Sequence, residues 1–440
     1  MATNGPMPLS DPALASAREI LRREQALHIG DAARAWATMP TVFEIALDAL
    51  QWRKKFEPTD APGVVRRGLW KFEREVEEER IRMAEELIRR VEPGPSEDAN
   101  YFALLAYEAA SVEICMASTA ASGRTAAGGA AGQRASRFLL GTVHAARVNA
   151  FARVLRHLDF TVVLIHSALV DFMYQAAKAV IAACNPVRSY DGRSDIQTSP
   201  KGAAIEVELD RNPEPVERLY RTLEAYYFRG YPRAFANEYV GEESHPPLGM
   251  LIALSERFVI AHEYGHGSWI NLGSQLIDAD NPEWTQEFLA DQFGMFAMVS
   301  SGQTLDAVDP AVSLSAATFA LACLSVLARG LSLARDGVIP DNDGSKSHPP
   351  SRMRAEQIVA GYHKLFKTEF RPDGRGCVAV PRSQPFNSVE VDHEVREYIS
   401  SGAFEHANAL FTIWKRVRVR LLRDFQSGRR LHSMWAAADS

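Results

Sequence analysis

Along most of this chain, apolar residues return every three or four positions, the period of an amphipathic helix. In "SDPALASAREILRREQAL" a helix is predicted to begin with Ser10 or Asp11 as its cap and Pro12 at its first position. Residues 64–91 form a long charged helix in which Leu69, Phe72, Val76, Met83 and Leu87 make one apolar stripe. The Glu and Arg residues between them read as a solvated face of i,i+4 pairs, and Pro93-Gly94-Pro95 ends the run. Phe138–Cys184 reads as two further helices closed by Asn185-Pro186, and Val216–Tyr227 as another. The most apolar stretch, Ala311–Ala328, is uncharged but studded with serines, so it reads as a buried core helix rather than a membrane span. The run around Phe160–Ala183 is interrupted by Asp171 and Lys178 and reads the same way.

One segment has the other period. In Ala204–Leu209, Ile205, Val207 and Leu209 alternate with Glu206 and Glu208, the pattern of a half-buried strand. As an edge strand it could receive an extended peptide by β-augmentation. The turn-rich run Ser189–Gly202 marks a boundary just before it. The expected architecture is therefore mainly α (α+β). Residues 1–190 form a helical N-terminal region. Residues 191–370 form a domain with a small sheet and a long central helix, and residues 371–440 a strand and helix extension.

Composition changes this picture little. At 440 residues, with 46% hydrophobic and 24% charged residues, the chain can bury a sizeable core without staples. A net charge of -6 gives no reason to expect nucleic acid as a partner. Four scattered cysteines, Cys115, Cys184, Cys323 and Cys377, contain no CxxC pair and read as reduced thiols of a cytoplasmic protein. The first residues lack the basic and apolar regions of a signal peptide. The Gly-rich run Ser122–Ser136 is not a phosphate loop, because Gly129 stands where the lysine is needed.

The chemistry concentrates in "FVIAHEYGHGSWIN", which contains the HExxH His262-Glu263-Tyr264-Gly265-His266. On a helix, His262 and His266 lie one turn apart on one face and can reach a single metal ion. Glu263, about 100° around the helix, can sit beside a metal-activated water without ligating the metal. Gly265 and Gly267 each cost a helix up to ~1 kcal/mol, which a close approach of metal, substrate or backbone would explain. Asn281-Pro282-Glu283 then opens another helix carrying "EFLADQFGMFA". There Glu287 and Asp291, four apart on one face, suit a third metal ligand and an acceptor for the ring N–H of a ligating histidine. Asp278, Asp280 and Glu283 are rival third ligands. The three-histidine arrangement is excluded, since Trp269 and Leu272 hold the places of its glycine and last histidine.

"HEYGH" followed by "EFLAD" resembles the gluzincins, the HExxH metallopeptidases with a glutamate third ligand. "SHPPSRMRAEQI" is similar to the HPP-three-residues-Arg block of M48-type peptidases, with His348, Pro349, Pro350 and Arg354 matching. The resemblance covers roughly residues 200–365. The short spacing from His266 to Glu287 is closer to thermolysin-like and ImmA/IrrE-type enzymes, and Lit-type proteases are a further HExxH group. The resemblance implies a zincin-like catalytic domain holding one Zn2+ through His262, His266 and Glu287, with Asp291 behind them. It implies Glu263 as general base, and His348, then Arg354, as donors to the tetrahedral oxyanion. A zinc-dependent endopeptidase acting on a protein or peptide is the expected function. A regulatory zinc-binding protein using its helical N-terminal half as an interaction module is the alternative, and a hydrolase of non-peptide amides a third.

The helix expected over Phe404–Phe425 sets Leu410, Ile413, Trp414, Val417, Leu421 and Leu422 against Lys415, Arg416, Arg418, Arg420 and Arg423. Its basic face could dock on a membrane surface or partner. The plainer expectation packs the apolar face inward and leaves the arginines in water.

Overall fold

The computed structural model describes residues 10–28, 66–91, 99–121, 137–143, 148–184, 202–230, 245–269, 282–306, 308, 310–340, 344, 348–365, 369–372, 377–380 and 403–432. The Gly-rich run, the boundary segment before Gly202, and Asp278 and Asp280 lie outside these residues. The fold is mainly α, as the periodicity predicts, but its small three-stranded sheet lies within residues 137–166 rather than in residues 191–370. It divides into two units, each assembled from separate stretches: residues 1–169 with 260–276, and residues 170–259 with 277–440.

In the first unit, helices α1 (Pro12–His28), α2 (Arg66–Val91) and α3 (Ala99–Ala121) accompany strands β1 (Arg137–Val143), β2 (Ala150–Leu155) and β3 (Phe160–His166). The order is β1-β3-β2, with β1 parallel and β2 antiparallel to β3. This corrects the reading of residues 138–166 as helix. All seven residues of β3 are buried, and a strand covered on both faces shows a continuous apolar run instead of alternation. Asp159 closes the β2–β3 hairpin with φ +57°, a left-handed geometry that Asp tolerates. On α2 the buried face is Ile81, Ala84, Leu87, Ile88 and Val91, whereas Val76 and Met83 are only half-buried. Arg18 of α1 donates to the carbonyls of Arg89 and Arg90 (3.1 and 2.7 Å), capping the C-terminus of α2. Arg90 is itself buried, donating to Glu86 at 3.1 Å, Glu113 at 3.4 Å and the Phe138 carbonyl at 3.4 Å. The expected fully solvated charged face is therefore only partly so: Arg82 bridges exposed Glu79 and half-buried Glu86, while Arg80 and Arg90 turn inward.

Helix α4 (Ser167–Cys184) leads into the second unit, which contains α5 (Gly202–Arg211), α6 (Glu214–Glu224), α8 (Pro282–Leu305), α9 (Pro310–Asp336), α10 (Ser351–Leu365) and α11 (Glu405–Gln426). Helix α7 (His245–Trp269) contributes its first part to this unit and its last part to the first. A short hairpin joins β4 (Glu369–Pro372) to β5 (Cys377–Val380). The strand expected over Ala204–Leu209 is instead helix α5. Ile205 and Leu209, four apart, are buried, and Val207 is 49% exposed. Glu206 and Asp210, also four apart, both bind Arg416 of α11. Pairing across helices has overridden the two-residue alternation, and no strand remains there for β-augmentation.

The apolar run lies in α9, which packs against α8, α10 and α11. Both α4 and α9 are long and apolar enough to cross a membrane by length and composition, and 83% of the relevant window of each is buried within the fold. On α11, Leu410, Ile413, Trp414, Val417 and Leu421 are buried. Lys415, Arg418 and Arg423 are exposed, as the plainer expectation has it, while the half-exposed Arg416 and Arg420 also pair with Glu206 and Asp210 and with Glu217.

At the start of α11 two neighbouring groups titrate against each other. The Ser315 hydroxyl lies 2.7 Å from His406 Nδ1 and accepts the His406 backbone N–H at 3.3 Å, an arrangement suited to a neutral ring with a bare Nδ1. Burial holds His406 down at about 4 and pushes Glu405 up to about 7. From pH 6.5 down to 4 the unfolded chain takes up a proton that native His406 refuses. Its contribution, at most about 3 kcal/mol, is therefore lost as pH falls through that window. Glu405 acts oppositely: its protonated native form is favoured below pH 4.5, and that contribution is lost as pH rises toward 7. Urea unfolding of the wild type between pH 4.5 and 6.5 should show a shallow pH dependence. Glu405→Gln should expose a steep loss on acidification, and His406→Gln a loss on raising the pH.

Candidate metal centre

Pro246 stands at the first turn of α7, where its missing N–H costs nothing, and the helix then runs unbroken through the HExxH. Before the motif, Arg257 is 2% exposed and donates to Ser301 at 3.2 Å and Asp306 at 2.6 Å, pinning α7 to the end of α8. No local pattern in the sequence marks this pair.

Tyr264, the aromatic inside the HExxH, is fully buried and stacks on Phe138 of β1, with ring centroids 3.8 Å apart. Burial pushes its hydroxyl well above the ordinary phenol range, with Glu113 adding to the shift and Arg90 opposing it. A side chain at Gly267 would collide with the Oγ1 and Cγ2 of Thr161 of β3. Close approach thus explains this glycine, and the neighbour is a strand side chain. Gly267→Ala should cost roughly 1–3 kcal/mol from overpacking against the rigid, buried Thr161. About 1 kcal/mol of better helix propensity offsets part of that, so thermal melting should still show net destabilisation.

His262 and His266 present their Nε2 atoms 3.1 Å apart, with the rings nearly perpendicular at 89°. Ligand atoms from His262, His266 and Glu287 all lie within 4.8 Å of one another. Bonds of 2.0–2.1 Å around a tetrahedral zinc would separate ligand atoms by about 3.3 Å, so the histidine pair is already at that spacing. Two imidazoles and one carboxylate are a donor set suited to a divalent transition metal. The group is buried or half-buried and could hold a metal ion. Glu263, next to His262, is 6% exposed.

Helix α8 begins at Pro282, as the Asn-Pro-Glu signal predicts, and Glu287 and Asp291 fall on its inward face. The rival Glu283, one turn earlier, is exposed. Both oxygens of Asp291 accept from Arg354, Nε at 2.8 Å and Nη2 at 2.7 Å. The carboxylate for which the sequence offers a histidine N–H is thus engaged by a guanidinium from α10. Arg354 Nη1 also lies 3.3 Å from Glu287 Oε2. At 6% exposure Arg354 is directed at this carboxylate pair, whereas the resemblance implied a donor for substrate. His348, on the loop before α10, has its side chain 58% exposed and Nε2 3.7 Å from Glu287 Oε1. The side chain of His245 in the other His-Pro-Pro lies outside the described residues.

Comparison with family models, with curated proteins and with solved structures gives no match to this chain.

Proposed function

We propose that this protein is a zinc-dependent endopeptidase of gluzincin type. The observation that carries the reading is the convergence of His262, His266 and Glu287 within 4.8 Å, with Glu263, the residue after His262, buried. A zinc ion bound there would supply Lewis acidity and make water a nucleophile near neutral pH.

The chain's own residues supply the rest. Glu263 takes a proton from the water that attacks the scissile carbonyl carbon. It then delivers that proton to the amide nitrogen as the C–N bond breaks, leaving a carboxylate and an amine. His348, exposed beside Glu287, donates a hydrogen bond to the carbonyl oxygen as negative charge develops on it. Strand β2 supports a peptide substrate. Among the described residues it pairs only with β3, leaving its outer edge for an extended chain to join. The strand that could accept a peptide is therefore residues 150–155, not residues 204–209.

The test is metal analysis of the purified chain together with cleavage of a broad peptide library, before and after chelation and zinc restoration. One equivalent of zinc and chelator-sensitive cleavage are expected. A folded chain that takes up no stoichiometric metal would overturn the reading. Metal without cleavage would favour the regulatory alternative.

A further inference from the structure

Glu287 and Asp291 stand one turn apart on α8, at 7% and 0% exposure. Two ionised carboxylates so placed repel each other, and burial strengthens the repulsion. Arg354 meets both. Its Nε and Nη2 form a two-pronged pair with Asp291, which fixes the plane of the guanidinium. With that plane fixed, Nη1 faces Glu287 Oε2 at 3.3 Å as an ion pair, without hydrogen-bond geometry. The arginine is itself held, because its backbone N–H donates to the Pro350 carbonyl at 3.1 Å in the first turn of α10. Pro349 and Pro350 precede that turn and restrict the backbone leading into it.

We propose that Arg354 is the positioning residue of the metal ligand Glu287, with Asp291 as its anchor: the Asp291-bound guanidinium holds one oxygen of Glu287 and thereby sets the carboxylate's orientation toward the two histidines. The proposal rests on the metal reading above and gives Arg354 a different task from contact with substrate. Lysine cannot replace it, since an ammonium lacks the planar fork that grips one carboxylate with two donors while setting its delocalised charge against a second.

The experiment is a zinc competition titration with a chromophoric chelator on the full-length chain, paired with thermal melting of the metal-free protein. It compares wild type with Arg354→Lys, Asp291→Asn and Arg257→Lys. The last replaces another buried arginine, Arg257 of α7, whose Nη1 meets Ser301 and Asp306 at the opposite end of α8 from Glu287. Arg354→Lys and Asp291→Asn should bind zinc roughly 10–100-fold more weakly while still melting cooperatively. Arg257→Lys should lower the melting temperature and keep wild-type zinc affinity. If Arg354→Lys does not fold, Asp291→Asn decides, because it keeps the arginine and loses only the anchor's charge. Wild-type affinity in a folded Arg354→Lys or Asp291→Asn chain overturns the proposal. So does an affinity loss in Arg257→Lys equal to theirs, which would mark a general effect of stability. If the wild type binds no zinc, the metal reading itself falls, and the proposal with it.

Discussion

Glu263→Gln is expected to keep one equivalent of zinc at wild-type affinity and to lose peptide hydrolysis by roughly 10²–10⁴-fold. The two halves of this result come from different atoms. The candidate ligand group is His262, His266 and Glu287, and the substitution replaces none of them. Position 263 is about 100° around α7 from position 262, so its side chain leaves the face that the two histidines share. The amide of glutamine nearly matches the carboxylate in size, so the buried site need not repack. What is lost is the capacity to accept a proton from water and return it to the leaving nitrogen. Single-turnover cleavage of a library-derived peptide measures the chemical step, and chelator competition measures the metal. Unchanged cleavage would remove Glu263 as the base. Cleavage and metal lost together would place it in the ligand set instead.

The parts of this site legible in the sequence are those whose meaning is local. An HExxH on one helix and Glu287 with Asp291 on the next follow from spacing alone, and both helices lie where the patterning and the Asn-Pro-Glu start place them. Arg354 was legible only through resemblance, and its pairing with Asp291 was not legible, because the two lie 63 residues apart. Arg257 was missed: its partners, Ser301 and Asp306, are more than forty residues away. The sheet was missed for a different reason. Phe160–His166 is buried on both faces, so its apolar run carries no period to separate strand from helix. Residues 204–209 erred the other way, because Glu206 and Asp210 answer to Arg416, a partner about two hundred residues along the chain.

A fragment of residues 191–370, the catalytic domain as the sequence alone would cut it, is expected to bind no zinc and to show no cooperative melt. The turn of α7 that carries the histidines belongs to the unit built from residues 1–169. Tyr264 stacks on Phe138 of β1, Gly267 packs against Thr161 of β3, and Arg90 of α2 ties the Phe138 carbonyl to Glu113 of α3. The cut removes all of these and exposes the Tyr264 ring, a side chain of a class that buries 150–250 Å². Losing the strand partners and the aromatic stack together costs several kcal/mol at ~25 cal/mol per Å², a large share of the ~5–15 kcal/mol that holds an ordinary domain. The N-terminal elements of the first unit are then the wall against which the histidine turn of α7 is built. Phe138→Ala in the full-length chain isolates one contact. It should cost roughly 3–5 kcal/mol in denaturant unfolding, the range for truncating a buried Phe, and weaken zinc binding through the loosened helix. A 191–370 fragment that melts cooperatively and takes up zinc would show that the metal helix needs none of this support.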